Sequence, residues 1–176
     1  SDDVLSDENE NLLNQLLMRN RQVYTDSLTK VFNRRYCDER LRRLSGEYAL
    51  AMIDIDNLKQ INDCLGHPAG DTAIYHTAQA IRAILRSQDE LVRYGGDEFL
   101  LLFHSLPQNI LRRKLEDICR AVRALRVADL PELRITVSIG GVYAAGQISE
   151  LVEKADLALY RAKAQKDSAV LYEEDF

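Results

Sequence analysis

The run Leu91-Val92-Arg93-Tyr94-Gly95-Gly96-Asp97-Glu98-Phe99-Leu100-Leu101-Leu102-Phe103 decides the architecture. Two apolar segments enclose a pair of glycines and a pair of carboxylates, a pattern that predicts strand, tight turn, strand. Gly-Gly tolerates φ > 0 at both central positions of a two-residue hairpin, so that turn type is expected at Gly95-Gly96. It sets Asp97 and Glu98 at the tip, where adjacent carboxylates repel and hard oxygen donors suit Mg²⁺. For this stretch by itself a solvated acidic turn is the plainer reading.

Working back, Tyr48-Ala49-Leu50-Ala51-Met52-Ile53 predicts a strand covered on both faces, running straight into Asp54-Ile55-Asp56. Carboxylates at the end of a buried strand are costly unless paired, hydrated or bound to metal. Neighbouring strands lie only about 5 Å apart, so two strand ends can bring both acidic pairs together. Two-metal phosphoryl or nucleotidyl transfer requires such convergence, because the cations neutralise a triphosphate and polarise the attacking and leaving oxygens.

The remaining segments fall around these strands. Leu5, Leu12, Leu16 and Val23 form a sparse heptad-like stripe interrupted by Asn9 and Arg19, predicting a helical stalk over residues 1–24, either a short coiled coil or a helix packed on its own domain. Residues 25–176 are expected to form one globular domain. Asn33 caps a helix running to about Leu44, whose basic run Arg34, Arg35, Arg40, Arg42 and Arg43 reads as a solvated face. Lys59–Leu65 predicts a short helix closed by Gly66, and a longer one opens at Pro68 and reaches about Arg86. Pro107 begins a helix to about Arg126 with Leu111, Leu115, Ile118 and Val122 inward. Arg134–Tyr143 predicts a strand in which Gly140-Gly141 marks a bulge or a close backbone approach, followed by a helix from Ser149 to about Gln165 and a strand over Ala169–Tyr172. The fold class expected is α+β, a mixed, largely antiparallel central sheet flanked by helices.

Composition bounds the function. A chain of 176 residues with 46% hydrophobic content supports one sizeable core, and a formal net charge of −5 argues against a general binder of nucleic acid polymers. Cys37, Cys64 and Cys119 read as free thiols of a reducing compartment, no run reaches the length of a membrane span, and a cytoplasmic location is expected, with membrane tethering of a full-length protein left open. The abrupt start at Ser1-Asp2-Asp3 is compatible with an excised fragment. His67, His76 and His104, each alone, read as structural.

The run Asp54-Ile55-Asp56-Asn57-Leu58-Lys59-Gln60-Ile61-Asn62-Asp63, then Gly66-His67, Gly70-Asp71 and Arg93–Phe99, closely resembles the GGDEF domains, the diguanylate cyclases of bacteria. The likeness extends from Asp26-Ser27-Leu28-Thr29 and Asn33-Arg34-Arg35-Tyr36 through Thr136-Val137-Ser138-Ile139-Gly140 to Ala155-Asp156, Ala158-Leu159-Tyr160 and Ala162-Lys163. The resemblance implies a palm-like fold shared with nucleotidyl cyclases and polymerases. It implies condensation of two GTP into cyclic di-GMP and pyrophosphate by a homodimer, with one GTP per subunit, and an upstream sensory or signalling domain in the full-length protein.

By position the resemblance assigns two Mg²⁺ or Mn²⁺ ions per active site to Asp54, the Ile55 carbonyl, Asp97 and Glu98. Asp97 is also the candidate base for the attacking 3′-hydroxyl, although an ordinary Asp is a weak base near neutral pH and metal activation contributes. Asn62 and Asp71 fall where the family reads guanine, a role their acceptors and donors suit; locally a helix C-cap for Asn62 and an N-cap for Asp71 fit as well. Gly95 and Gly96 let backbone approach the phosphates, Lys163 holds the terminal phosphates, and Leu58 and His67 border the substrate, Leu58 in place of the usual phenylalanine.

Arg86-Ser87-Gln88-Asp89 matches the family's Arg-x-x-Asp inhibitory site for the product, the plainer reading being a helix-terminal Arg and an unrelated loop Asp. Two places depart from the family pattern. Lys30-Val31-Phe32 replaces Gly-Leu-Pro, and after Lys163 the usual glycine and arginine are Lys166 and Asp167. Lys166 could substitute for the missing cation, but a one-residue shift along a helix turns a side chain by about 100°. A catalytically degenerate domain that binds GTP or cyclic di-GMP is the alternative this departure raises, and a purely structural dimerisation module a third.

Overall fold

The structure, a computed structural model, describes residues 2–176; the side chains of residues 2–3 and 18–21 lie outside that description, and the expected interruption of the stalk stripe at Arg19 falls among them. Five strands form one sheet in the order β2-β3-β1-β4-β5, with β1 over Ser45–Ile55, β2 over Glu90–Arg93, β3 over Glu98–Phe103, β4 over Val137–Gln147 and β5 over Ser168–Leu171. Every pairing is antiparallel except β4 with β5. This is the mixed, largely antiparallel sheet expected from the alternation of segments.

Among the described residues the α-helices are α1 over Asp2–Tyr24, α2 over Arg34–Tyr36, α3 over Leu58–Leu65, α4 over His67–Ala83, α5 over Gln108–Arg123 and α6 over Ile148–Gln165. The period-2 alternation of the strands sorts the core into two layers. Ala49, Ala51, Ile53, Phe99, Leu101 and Phe103 pack with α4 and α5 on one face. Leu50, Met52, Leu100 and Leu102 pack with Leu41 and α6 on the other. Even-numbered positions near the ends of β1 and β3 therefore face α6, which decides where Asp54 and Glu98 project.

Gly140 is where β4 and α6 touch backbone to backbone. A Cβ there would sit 2.2 Å from the Ala155 carbonyl and 2.2 Å from the Leu159 nitrogen, so the close approach expected at this glycine is present.

Several boundaries differ from expectation. The hairpin tip is not a two-residue turn with positive φ, since neither Gly95 nor Gly96 is among the positive-φ residues. The Tyr94 and Gly95 N–H groups both donate to the Glu98 carbonyl at 2.8 and 3.0 Å, which leaves Gly95–Asp97 as a wider tip. The helix expected from Asn33 to Leu44 is one α-turn capped by Asn33, whose side chain accepts from the Tyr36 nitrogen, followed by a π-helical turn over Cys37–Leu41. That wider turn buries Cys37 and Leu41, and the arginines flanking it are not merely solvated: Arg34 and Arg42 both pair with Asp38, and Arg34 stacks on the Tyr94 ring. Helix α4 stops at Ala83 rather than Arg86, the Arg86 N–H being taken by the Asp89 carboxylate at 2.9 Å. Strand β4 begins at Val137 rather than Arg134.

Helix α1 leaves Leu5, Leu12 and Leu16 57–60% exposed, so over these positions the stripe is not packed on its own domain. Tyr24 at its end donates to Glu39 at 2.7 Å, and the Asn33 amide donates to the Val23 carbonyl at 2.8 Å. No described helix is long and apolar enough to cross a membrane.

Candidate active site

Register places the acids. Asp54 on β1 stands opposite Glu98 on β3, and the Ile55 N–H donates to the Asp97 carbonyl at 3.0 Å. Both Asp54 and Glu98 face α6, where Asp156 and Lys163, seven residues or two turns apart, share one side of the helix. Lys163 forms an ion pair with Asp54 Oδ2. Asp54, Ile55, Leu58, Asp97, Lys163 and Lys166 line one cleft of about 310 Å³.

Electrostatics mark this corner as built for added positive charge. Burial raises the Asp54 carboxyl above its usual range, outweighing the Lys163 ion pair, and the nearby Asp97 adds to the rise. Burial likewise raises Glu98, with Asp156 and Asp54 as like charges beside it, and burial raises Asp156. The Asp54 contact raises Lys163, keeping it charged. Asp54 Oδ1 is buried without a hydrogen-bond partner, an orphaned acceptor at the cleft. Among the described residues no group of three or more His, Cys, Asp or Glu side chains is gathered closely enough to hold a metal ion as it stands. The donor chemistry nevertheless fits a hard divalent cation, because the oxygens available are carboxylates and a carbonyl and one of them lacks a partner.

Asp56, expected to make a second acid of the pair, is occupied elsewhere. Its oxygens accept from Thr136 Oγ1 at 2.7 Å, Ser138 Oγ at 2.6 Å and the Asp167 N–H at 2.9 Å, tying β1 to β4 and to the chain after α6. Asp56 borders the cleft as well, but these donors hold its carboxylate, whereas Asp54 keeps an oxygen without a hydrogen-bond partner.

Asn62 and Asp71 lie at the α3–α4 junction with His67, outside the lining of the acidic cleft. Gly66, with φ +92, joins the helices, and the Asn62 side chain lies so close over Gly70 that a Cβ there would fall 1.8 Å from its Oδ1. Neither capping role survives: Gly66 is the cap at both ends, and Asp71 sits inside α4. Gly95 and Gly96 form the hairpin tip, where a Cβ on Gly96 would meet nothing within 4 Å.

Arg86 and Asp89 are not unrelated. Arg86 grips Asp89 through Nη2 at 2.8 Å and Nε at 3.2 Å, and also donates to the His104 carbonyl at 2.8 Å. The Asp89 side chain is fully buried, whereas that of Arg86 is partly exposed. They line a larger cleft of about 650 Å³ with Lys30 and Arg82.

Comparison with known proteins settles the family. The sequence profile described as diguanylate cyclase, GGDEF domain, matches residues 23–169. The chain belongs to the GGDEF family. Diguanylate cyclase TpbB of Pseudomonas aeruginosa is 35% identical over 173 residues, which cover 92% of this chain and 38% of TpbB. The crystal structure of diguanylate cyclase SiaD of Pseudomonas aeruginosa in complex with its activator SiaC superposes with a TM-score of 0.83 at 35% identity, over 95% of this chain and 69% of that one. The coiled coil and GGDEF domain of DgcB from Caulobacter crescentus, in complex with c-di-GMP, gives 0.84 at 29% identity over 94% of each chain. The chain spans 40% of the length of one curated relative and 22% of another.

Beside the expected residues, this GGDEF domain shows contacts that sequence did not indicate. Asp156, legible only as part of a motif, stands as a further acid near Glu98. Asp26 and Arg93, 67 positions apart, pair at 3.3 Å, and Arg93 also donates to the Gly96 carbonyl at 2.9 Å, joining the stalk exit to the hairpin tip.

Proposed function

We propose that this GGDEF domain is a metal-dependent diguanylate cyclase that condenses two GTP into cyclic di-GMP and pyrophosphate as a homodimer. The observation that carries the reading is the convergence of Asp54, Asp97 and Glu98 at one end of β1 and β3, with Lys163 from α6 against Asp54. Asp54, the Ile55 carbonyl, Asp97 and Glu98 would hold Mg²⁺ or Mn²⁺, two ions per site, which supply polarisation of the attacking and leaving oxygens and neutralise triphosphate charge.

The chain's own residues do the rest. Asp97 accepts the proton of the attacking 3′-hydroxyl. Lys163 and Lys166 hold the terminal phosphates as point charges. The bare tip at Gly95 and Gly96 admits nucleotide against backbone, and Asn62 and Asp71 read the guanine edge with Leu58 and His67 beside it. Each subunit presents one GTP, so dimerisation completes the reaction; the exposed leucine stripe of α1 supports pairing through a stalk of residues 1–24 ahead of a domain of residues 25–176. Product inhibition acts through Arg86 and Asp89, and requires cyclic di-GMP to displace Asp89 from its ion pair.

The test is incubation of purified protein with GTP and Mg²⁺ or Mn²⁺, products resolved by chromatography, beside Asp97→Ala. Cyclic di-GMP from the wild type and none from the variant supports the reading. The alternative, a degenerate domain that binds GTP or cyclic di-GMP as a regulatory module, is favoured by Asp167 in the arginine's place. Binding of cyclic di-GMP without turnover, abolished by Arg86→Ala, would establish it instead.

A further inference from the structure

The segment after α6 departs from the family pattern at two adjacent positions, and the geometry relates the two departures. Helix α6 ends at Gln165, so Lys166 and Asp167 are not on a helix and the rotation of about 100° per residue does not apply to them. Lys166 has φ 63 with ψ 163, and Asp167 has φ 47, consecutive positive-φ conformations that favour glycine, the residue the family places at the first of them. Non-glycine residues hold such conformations only when surrounding contacts fix them. Here the contacts are specific. The Asp167 carboxylate is bound at both oxygens by Arg123 of α5, Nε at 2.7 Å and Nη2 at 3.1 Å. The Asp167 N–H donates to Asp56 at 2.9 Å, and the Lys166 N–H closes the helix on the Ala162 carbonyl at 2.8 Å. With Asp167 drawn outward to α5, Lys166 projects the opposite way, into the acidic cleft, where its ammonium donates to Asn57 Oδ1 at 2.6 Å.

We infer that Arg123 is a positioning residue for nucleotide binding: through its two-point hold on Asp167 it aims Lys166 at the terminal phosphates. This rests on the reading of the cleft as the GTP site. Position 167 carries an acid because it faces Arg123, and the phosphate cation has moved to position 166. The two substitutions act as one exchange, with Arg123 as its outer anchor. An arginine at 167 would meet Arg123 with like charge and release the segment, so Asp167→Arg weakens GTP binding instead of supplying a missing cation.

The experiment is calorimetric titration of the protein with GTP and, separately, GMP, with Ca²⁺ in place of Mg²⁺ so that the nucleotide stays intact, beside thermal melting of each variant. Arg123→Ala raises the GTP Kd about fivefold, in keeping with loss of one well-placed charge contact, and leaves the GMP Kd within twofold. Arg123→Lys restores part of the loss. Lys166→Gly suits the positive-φ backbone at this position, so it melts no lower than the wild type while binding GTP as weakly as Arg123→Ala, and the double variant binds no more weakly than either single one. Equal weakening of GTP and GMP, additive effects of Arg123→Ala and Lys166→Gly, or unchanged GTP binding in Arg123→Ala would overturn the positioning role. A wild type that binds neither nucleotide removes the GTP reading itself, and the inference with it.

Discussion

The Lys163 ammonium of α6 lies against the Asp54 carboxylate, a half-exposed cation facing an acid that β1 buries. The pair sits in a site that also gathers the acids Asp97, Glu98 and Asp156. Lys163→Ala leaves Asp54 with burial and like charge unopposed. Because the lysine is half exposed, the stability loss is about 1 kcal/mol, a few degrees in Tm, while GTP affinity falls about tenfold. The pair raises Lys163 above its ordinary range, so its stabilisation is complete at neutral pH and is lost as alkaline pH deprotonates it. Melting curves at neutral and alkaline pH should therefore show the wild type and variant converging on the alkaline side.

Glu98 predicts the opposite trade. Burial and the neighbouring Asp156 and Asp54 raise its carboxyl, so the folded state binds its proton more tightly than the unfolded chain does, and ionising it costs stability as pH rises through that window. Glu98→Gln should melt higher than the wild type at pH 7 in the absence of divalent metal, and the difference should vanish at acid pH. The same substitution should abolish cyclase activity. A variant that melts lower at pH 7 would contradict the electrostatic account of the cleft.

Asp26 carries more than the stalk exit. Its carboxylate accepts from the Thr29 N–H at 2.9 Å and the Thr29 hydroxyl at 2.7 Å and pairs with Arg93, which in turn holds the Gly96 carbonyl. Asp26→Ala removes these at once and leaves Arg93 largely buried without its anion. The expected loss is about 2 kcal/mol in chemical denaturation, with a fall in turnover larger than the change in GTP affinity, since the hairpin tip carries Asp97.

Gly140→Ala tests how α6 is seated. A methyl there would collide with backbone of α6 at 2.2 Å, and neither partner is the flexible end of a side chain. Displacing α6 moves Lys163 and Asp156 together, so a cost of about 3 kcal/mol and loss of GTP binding are expected by melting and calorimetry.

How much of this was legible depended on the range of the interaction. The hairpin at 91–103 and the strand that carries Asp54 are written in apolar runs long enough to decide by themselves, and the inward residues of α5 follow from helical spacing. The tip conformation at Gly95-Gly96 was not, because two glycines permit positive φ without requiring it. Asp54 and Asp56 look equivalent in sequence; only the positions of Thr136, Ser138 and the Asp167 N–H, 80 or more residues away, commit Asp56 to the scaffold. The direction of Lys166 is not legible, because α6 ends at Gln165, where the sequence places its end, and the rotation of about 100° per residue no longer applies beyond that point.

The central claim, that the acids of β1 and β3 and the lysines after them condense GTP, is tested most directly by the initial rate of cyclic di-GMP formation in a dimer enforced through α1. Synthesis from GTP that requires Mg²⁺ or Mn²⁺ and is lost in Asp97→Ala is the predicted result. An enforced dimer that binds GTP with either metal yet yields no cyclic di-GMP would contradict it.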